Sequence, residues 1–280
     1  WTSVESSCSV AILMISDHIC PQRCYMKIAT LVVACLASSV SYAFDLVPYT
    51  ATYQFNLNGQ LTGTATRVLS KQADNQYRYQ FNAAAMIANA NELSDFKFDG
   101  QKVQSLHYEN TKQVLFKTKK STVDFDWLKN QANAQRNGEA LQYALTEPST
   151  LDPLNLEIQI RQDLSKKSTL KGKYSLGDAK GLNPLAFELD GTEKITTPYG
   201  EIDTVKVSRV HQSSDRKTQF WLAKSLNYLP VKVVQIDDGA IYTIELQSYQ
   251  TTTETAASTA VITPPHDPVA DSLPPSSKSE

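Results

Sequence analysis

The residues of this chain that could do chemistry are scattered. Asp124 and Asp126 form the neatest carboxylate pair, and paired carboxylates are what glycoside hydrolysis requires. They alternate with Val123, Phe125 and Trp127, so on a β-strand they lie on the face opposite the aromatic residues. We therefore expect the pair to face solvent rather than to enclose a substrate.

Histidine and serine offer no better candidates for catalysis. His107 and His211 lie in strand-like segments, without the H-x-x-x-H or H-x-E spacing of a metal site. The G-x-S-x-G elbow of serine hydrolases does not occur, nor do the glycine-rich loops that bind phosphates or dinucleotides. The sequence predicts a protein that is not an enzyme and has no metal or cofactor, and an enzyme acting through Asp126 is the third hypothesis.

The N-terminal segment indicates export. Met26-Lys27 opens an apolar run that ends in Ser41-Tyr42-Ala43, and this is the charged start, short apolar region and small-residue cleavage site of a secretory signal peptide. We expect residues 26–43 to be the signal and residues 1–25 to be untranslated upstream sequence or a spurious extension, with a genuine extension as the alternative. The predicted location is the periplasm, and lipidation at Cys35 is a minor alternative.

Cleavage after residue 43 would remove all four cysteines, so we expect no disulfide and no cysteine-bound metal in the mature chain. The net charge of −2 does not indicate attraction to nucleic acid or to anionic lipid. The N-terminal apolar run is too short for a membrane span, and we find no transmembrane segment in the mature chain. Residues 44–250 are predicted to be one domain, and residues 251–280, rich in Thr, Ser and Pro, a disordered tail.

Any site would be positioned by β-strands, because apolar and polar residues alternate with a period of two along most of the sequence. Tyr49 to Leu57 alternates apolar and polar residues, and Asn58-Gly59 follows as a tight-turn signal. About a dozen segments share this pattern, each with one apolar and one polar face. They predict a mostly β fold, in which a curved antiparallel sheet forms a barrel or half-barrel.

One segment departs from this period. Asp152 suits an N-cap and Pro153 suits the first helical position, and apolar residues then recur at helical spacing as far as Leu164. We expect a helix over residues 153–164. Its apolar residues need a partner, so it should pack on or in the concave face of the sheet.

The concave face is also the best candidate for a binding site. Its aromatic residues are interspersed with small ones, so it is either packed or forms a pocket for an acyl chain or another amphiphile. In a pocket, the helix would be a lid, the tyrosine hydroxyls would orient the polar head, and Arg161 would pair with an anionic head group. The candidate ligand-binding residues are Tyr53, Phe55, Tyr79, Phe81, Phe96, Phe98, Trp127 and Arg161.

Five segments, taken in order, resemble a known family of exported bacterial proteins, the domain of unknown function 3108. They are the Tyr49–Tyr53 strand with Gly59 and Gly63, the Ser121–Trp127 strand, the Asp152-Pro153-Leu154 helix start, the Thr197–Glu201 turn and the hairpin from Phe220-Trp221-Leu222 to Pro230-Val231. The resemblance implies a mostly periplasmic antiparallel β-domain with a helix, and no catalytic residues. The architecture also looks like that of the periplasmic lipoprotein carriers, which is a likeness of fold alone.

Two functions of a non-enzymatic kind fit these observations. The first is binding or carrying an apolar or amphiphilic, lipid-like ligand in the barrel interior. The second is an interaction or scaffold protein of the cell envelope, which would use a sheet edge or the Pro-rich tail to bind an envelope protein. Nucleic acid is not an expected partner under either hypothesis.

Overall fold

The computed structural model describes residue 44 and residues 46–147 and 149–252. The predicted signal peptide, the extension before it, all four cysteines and the tail from residue 253 lie outside the described residues. The described residues form fifteen β-strands, one α-helix and a short 3-10 helix. No helix in this part of the chain is long and apolar enough to cross a membrane.

The first eight strands come before the helix. They are β1 (Tyr49–Leu57), β2 (Leu61–Ala73), β3 (Gln76–Ala85), β4 (Ala88–Phe98), β5 (Val103–Val114), β6 (Lys117–Asp126), β7 (Gln131–Arg136) and β8 (Glu139–Ala144). The helix α1 covers Leu156–Lys167. The strands after it are β9 (Tyr174–Asp178), β10 (Gly181–Leu185), β11 (Phe187–Thr197), β12 (Gly200–Arg209), β13 (Arg216–Ala223), β14 (Leu229–Asp237) and β15 (Ala240–Thr251), with the 3-10 helix at Lys224–Leu226.

Thirteen strands form one antiparallel sheet, in the order β11-β12-β13-β14-β15-β1-β2-β3-β4-β5-β6-β7-β8. The first and last strands of the domain meet at its centre, where Tyr49 pairs with Thr251. The backbone N–H of Thr252 also donates to the carbonyl oxygen of Pro48 at 2.9 Å. The β14–β15 hairpin, with its turn at Asp238-Gly239, therefore lies inside the sheet, and the pairing of β15 with β1 joins the two halves.

The sheet is curved and barrel-like but not closed, as the half-barrel prediction allowed. Its edge strands β8 and β11 do not pair with each other in the described chain. The β9–β10 hairpin bridges them. On one side, Tyr143 of β8 donates to the carbonyl oxygen of Asp178 at the end of β9 at 3.0 Å. On the other side, only Ala186 separates β10 from β11 along the chain. A Cβ atom at Gly177 would lie 3.0 Å from three side chains, so the hairpin packs closely against the wall.

The helix lies inside the curved sheet, as the sequence predicted, but begins later than expected. Residues 153–155 form a turn, and α-helical bonding starts where the N–H of Leu156 donates to the carbonyl oxygen of Asp152 at 3.2 Å. Asp152 nevertheless acts as a cap, since its Oδ1 accepts bonds of 2.9 Å from the N–H groups of Leu154 and Asn155. The cap therefore belongs to the turn that precedes the α-helix.

The surface of α1 is more polar than a helix in an apolar core needs to be. Four of its polar residues are buried: Gln159, Arg161, Gln162 and Asp163. Gln159 accepts a bond of 3.0 Å from the N–H of Val103, and Gln162 donates to the carbonyl oxygen of Gly100 at 3.1 Å. Buried polar groups need such partners, so hydrogen bonds as well as apolar contacts hold the helix in the sheet.

Candidate ligand-binding cavity

A cavity of about 410 Å³ lies between α1 and the half of the sheet formed by β11 to β15. The helix side is formed mainly by Leu156 and Ile160, and Leu154 precedes them in the turn. Ligand pockets are commonly of this size and mostly apolar, with a few polar groups that orient the ligand. The cavity is therefore a candidate ligand-binding site.

One cross-strand row builds the opposite wall. Val207 lies opposite Phe220, Phe220 opposite Val233, and Val233 opposite Ile244, so four neighbouring strands each contribute one inward side chain. All four residues line the cavity. Phe187 lies opposite Arg209 and also lines the cavity, with its ring centroid 6.2 Å from that of Phe220. Because side chains on a strand alternate between faces, this wall follows directly from the period of two in the sequence.

The end of the cavity that reaches the exposed Arg216, which we call its mouth, is cationic. Arg209, His211 and Arg216 line it near the β12–β13 turn, and the exposed Arg216 places its Nε 2.8 Å from Asp237 Oδ1. The Nε of Arg209 is buried and has no hydrogen-bond partner among the described residues. Burial and the charge of Arg216 lower the pKa of Arg209, and burial with both arginines lowers the pKa of His211. A bound anion would relieve this repulsion, so the mouth suits an anionic group.

A second charged cluster lies deeper, on the side of α1 that faces β1 to β3. Arg67 forms an ion pair with Glu157, and Arg161 Nη1 lies 3.6 Å from the same carboxylate. Arg161 Nη1 donates to Tyr49 Oη at 3.0 Å, and Tyr79 Oη donates to Glu157 at 2.9 Å. Burial raises the pKa of the Tyr49 hydroxyl, which therefore remains a neutral hydrogen-bonding group. Glu157 and the two tyrosine hydroxyls are partners for these charges, although the Nε of Arg67 is buried without a hydrogen-bond partner among the described residues.

Charge differs between the two ends of the cavity. The deep end carries Arg67 and Arg161 against Glu157 and Glu92, so its formal charges cancel. Glu92 also accepts a bond of 2.9 Å from Tyr108 Oη. The mouth carries two arginines against one aspartate and has a net positive charge, which a protonated His211 would increase. An anionic group of a ligand should therefore bind at the mouth.

The residues predicted from the sequence to bind a ligand are distributed over the whole concave face. Two of them line the cavity, Phe81 and Arg161. Four are buried in the core: Tyr53, Tyr79, Phe96 and Phe98. Phe55 lies further along β1, with its ring 6.3 Å from that of Tyr242, and Trp127 donates from Nε1 to the carbonyl oxygen of Ser105 at 2.7 Å. Ligand contact by these eight residues stays a prediction.

The mouth residues were missed, although the sequence contains a signal for them. Arg209 is two positions after Val207 and four after Val205, so it shares their inward face of the strand. On the next strand, Arg216 shares the inward face of Thr218 and Phe220. A charged residue at the end of an apolar face marks the position where that face meets water. Only the pairing of β12 with β13 brings the two arginines to one mouth.

The acidic pair considered for catalysis lies on the other face of the sheet. Val123 and Phe125 are buried, whereas Asp124 is exposed and lies 2.7 Å from His107 Nδ1. Asp126 accepts a bond of 2.9 Å from Lys129 Nζ. Among the described residues there is no group of three or more His, Cys, Asp or Glu side chains that could hold a metal ion.

The solved structures that match this chain include two proteins from other domain families. A beta-barrel-like protein of domain family DUF1849 from Brucella abortus has a TM-score of 0.52 and 10% sequence identity, covering 74% of this chain and 98% of its own. This likeness concerns the fold. A DUF1329 family protein from Desulfovibrio piger is 12% identical, covers 75% of this chain and 88% of its own, and has a TM-score of 0.26.

No curated protein matches the chain. The family described as "Protein of unknown function (DUF3108)" matches residues 48–247, from just before β1 into β15. The match includes every residue named above as lining the cavity. The chain belongs to the DUF3108 family, as the ordered segments in its sequence predicted.

Proposed function

We propose that this protein binds one amphiphile, with its apolar chain in the cavity beside α1 and its anionic head group at Arg209 and Arg216. We also propose that it does so without catalysing a reaction, as an exported protein of the periplasm. The observation that carries the ligand proposal is the combination of an apolar cross-strand row with an arginine at one end whose buried Nε has no hydrogen-bond partner among the described residues.

Arg209 supports this orientation of the ligand. Buried donors in folded proteins nearly always have a partner, and Arg209 Nε has none within the described chain. A carboxylate or phosphate can accept two parallel bonds from one guanidinium group. A ligand head at the mouth would therefore satisfy the donor and offset the repulsion between Arg209 and Arg216.

Arg161 is less suited to the head-group role that the sequence suggested. Its Nη1 donates to Tyr49 and its Nε donates to the carbonyl oxygen of Asn227 at 2.9 Å. A head group at this position would have to replace both of these bonds. The proposal therefore assigns Arg161 to holding the helix, and the head group to the mouth.

The test compares a fatty acid with the fatty alcohol of the same chain length. Protein purified from the periplasm should bind both in a fluorescence displacement titration, and the acid more tightly. Arg209→Gln should weaken binding of the acid about tenfold and leave binding of the alcohol nearly unchanged, because a charge-assisted hydrogen bond contributes about 1.5 to 3 kcal/mol.

Lys217→Gln is the matched control, since Lys217 is exposed and adjacent to Arg216 on the same strand. It should bind both ligands like the unchanged protein. The proposal fails if neither ligand binds. The assignment of the head group fails if Arg209→Gln weakens acid and alcohol equally.

A further inference from the structure

Exposed apolar side chains are concentrated at the tips of two neighbouring hairpins. Five of the eleven large apolar residues that are exposed in the described chain are Met86, Ile87, Val114, Leu115 and Phe116. Met86 is 92% exposed and Phe116 is 99% exposed. The two tips are joined, since the N–H of Leu115 donates to the carbonyl oxygen of Ile87 at 2.8 Å. We call these five residues the apolar tip.

The part of the β5–β6 hairpin nearest Phe116 is also strongly basic. Residues 110–121 contain no acidic residue and four exposed lysines: Lys112, Lys117, Lys119 and Lys120. None of the four forms an ion pair within the described residues. Lys112 lies directly opposite Lys119 on the neighbouring strand, a like-charge pairing that destabilises a sheet. The arrangement therefore does not serve the stability of the fold.

A shallow concavity accompanies these lysines. It measures about 200 Å³ and is lined by Lys112, Lys119, Lys120 and Arg136, with Asn110, Ser121 and Asn137. Cations around a polar depression are suited to the phosphate of a lipid head group. The acidic residues at or beside the hairpin turns of the same end, Glu139, Asp215, Asp237 and Asp238, lie on the β7–β8, β12–β13 and β14–β15 hairpins and not on the basic one.

The apolar tip lies at the same end of the barrel as the cationic mouth of the cavity. In an antiparallel sheet, alternate turns lie at the same end, so the β3–β4 and β5–β6 turns share an end with the β12–β13 and β14–β15 turns. Arg209 and Arg216 border the β12–β13 turn. The opposite end carries the β6–β7 turn, where Leu128 is also exposed.

We infer that this end of the barrel docks on the surface of a membrane that contains anionic phospholipid. Leu115 and Phe116 enter the boundary between head groups and acyl chains, and the lysines of the same hairpin contact the lipid phosphates. The apolar tip favours lipid over nucleic acid, because a nucleic-acid backbone offers no apolar surface for Phe116. The net charge of −2 indicated no attraction to anionic lipid. It is a sum over the whole chain, however, and does not reveal the local charge of +4 on residues 110–121.

This docking does not depend on the ligand proposed for the cavity. If both are correct, docking brings the cavity mouth to the membrane, where an amphiphile could enter or leave without crossing water. Each can fail alone, because fatty acid binding is measured without a membrane and docking is measured without an added ligand.

The test is flotation of the exported protein with phosphatidylcholine vesicles, prepared with and without phosphatidylglycerol. The protein should float with the phosphatidylglycerol vesicles, and less so as salt is raised. The variant Lys117→Gln/Lys119→Gln/Lys120→Gln should bind them about a hundredfold more weakly. Leu115→Ser/Phe116→Ser should lower binding about tenfold or more, because the inserted apolar area is lost. A Phe116→Trp variant should show a blue shift of its added fluorescence on binding.

Matched controls lie at the opposite end of the barrel. Leu128→Ser removes an equally exposed apolar side chain, and Lys71→Gln/Lys97→Gln/Lys102→Gln removes three exposed lysines from the far hairpins. Both controls should bind vesicles like the unchanged protein. The inference is overturned if the protein does not float, or if tip and control variants float equally. It is also overturned if the tip variants abolish self-association instead, since the tip would then be an interface between two copies.

Discussion

Arg161 Nη1, on the helix inside the sheet, donates a 3.0 Å hydrogen bond to Tyr49 Oη on the first strand. The same guanidinium group bonds the carbonyl oxygen of Asn227, just after the 3-10 helix. One buried side chain thus ties α1 to the centre of the sheet and to the β13–β14 connection. The helix is held in a fixed position by these bonds, and the shape of the cavity depends on that position.

Replacing Arg161 should therefore be costly. Arg161→Met should lower the free energy of unfolding by about 3 kcal/mol, because it removes two buried hydrogen bonds, to the Tyr49 hydroxyl and to the Asn227 carbonyl oxygen, and one of the two cations beside Glu157. Denaturant titration measures this loss. Lys167→Met, an exposed change on the same helix, should alter stability by less than about 0.5 kcal/mol. Equal effects of the two variants would contradict the role given to Arg161.

Asp152 should make stability depend on pH. Burial raises its pKa from 3.8 to about 7, while bonds from Ser94 and the N–H groups of Asn155 and Leu154 oppose the shift. Between these two values the folded protein holds a proton that the unfolded chain has lost, so stability should fall as pH rises. The slope is about 1.4 kcal/mol per pH unit.

Asp152→Asn removes this titration. The difference in unfolding free energy between the unchanged protein and the variant should therefore change by about 4 kcal/mol from acid to neutral pH, with the unchanged protein relatively more stable in acid. Urea unfolding at a series of pH values gives this difference. A constant difference would show that Asp152 has the same charge in the folded and unfolded chains.

Val233 tests whether the cavity is empty space. It is central in the cross-strand row, so Val233→Phe should fill part of the cavity, change stability by less than about 1 kcal/mol and weaken fatty acid binding. Val234→Phe, on the other face of the same strand, should leave ligand binding unchanged. If the face is packed rather than hollow, Val233→Phe should instead cost about 1 to 3 kcal/mol.

Gly177 tests how the β9–β10 hairpin bridges the open sheet. Gly177→Ala should destabilise the protein by about 1 to 3 kcal/mol, because the new methyl group would lie 3.0 Å from Phe125, Thr150 and Tyr143. Gly172→Ala is the control, since nothing lies within 4 Å of its Cβ position. Thermal unfolding of both variants decides whether this packing is as close as described.

The fold could be predicted from the sequence because its main signal is local. Alternation along Tyr49 to Leu57 recurs in strand after strand, and the turn residues at Asn58-Gly59 and Asp238-Gly239 fall where the hairpins turn. Asp152 and Pro153 likewise marked the start of the helical segment. These signals need no knowledge of which strand pairs with which.

The interior and its charges could not be predicted in the same way. Gln159 and Gln162 are usual residues of an exposed helix face, and only the tertiary fold brings the backbone of Val103 and Gly100 to them. The basic hairpin was missed because a net charge sums over the whole chain. Spatial clustering of Lys112 with Lys119 depends on strand register, which the period of two does not specify.

The central claim is that an amphiphile occupies the cavity, and native mass spectrometry of the protein purified without added ligand tests it most directly. We predict a species heavier than the protein by the mass of one lipid-like molecule, and loss of that species in Val233→Phe. A bare protein mass, together with no uptake of added fatty acid, would contradict the claim.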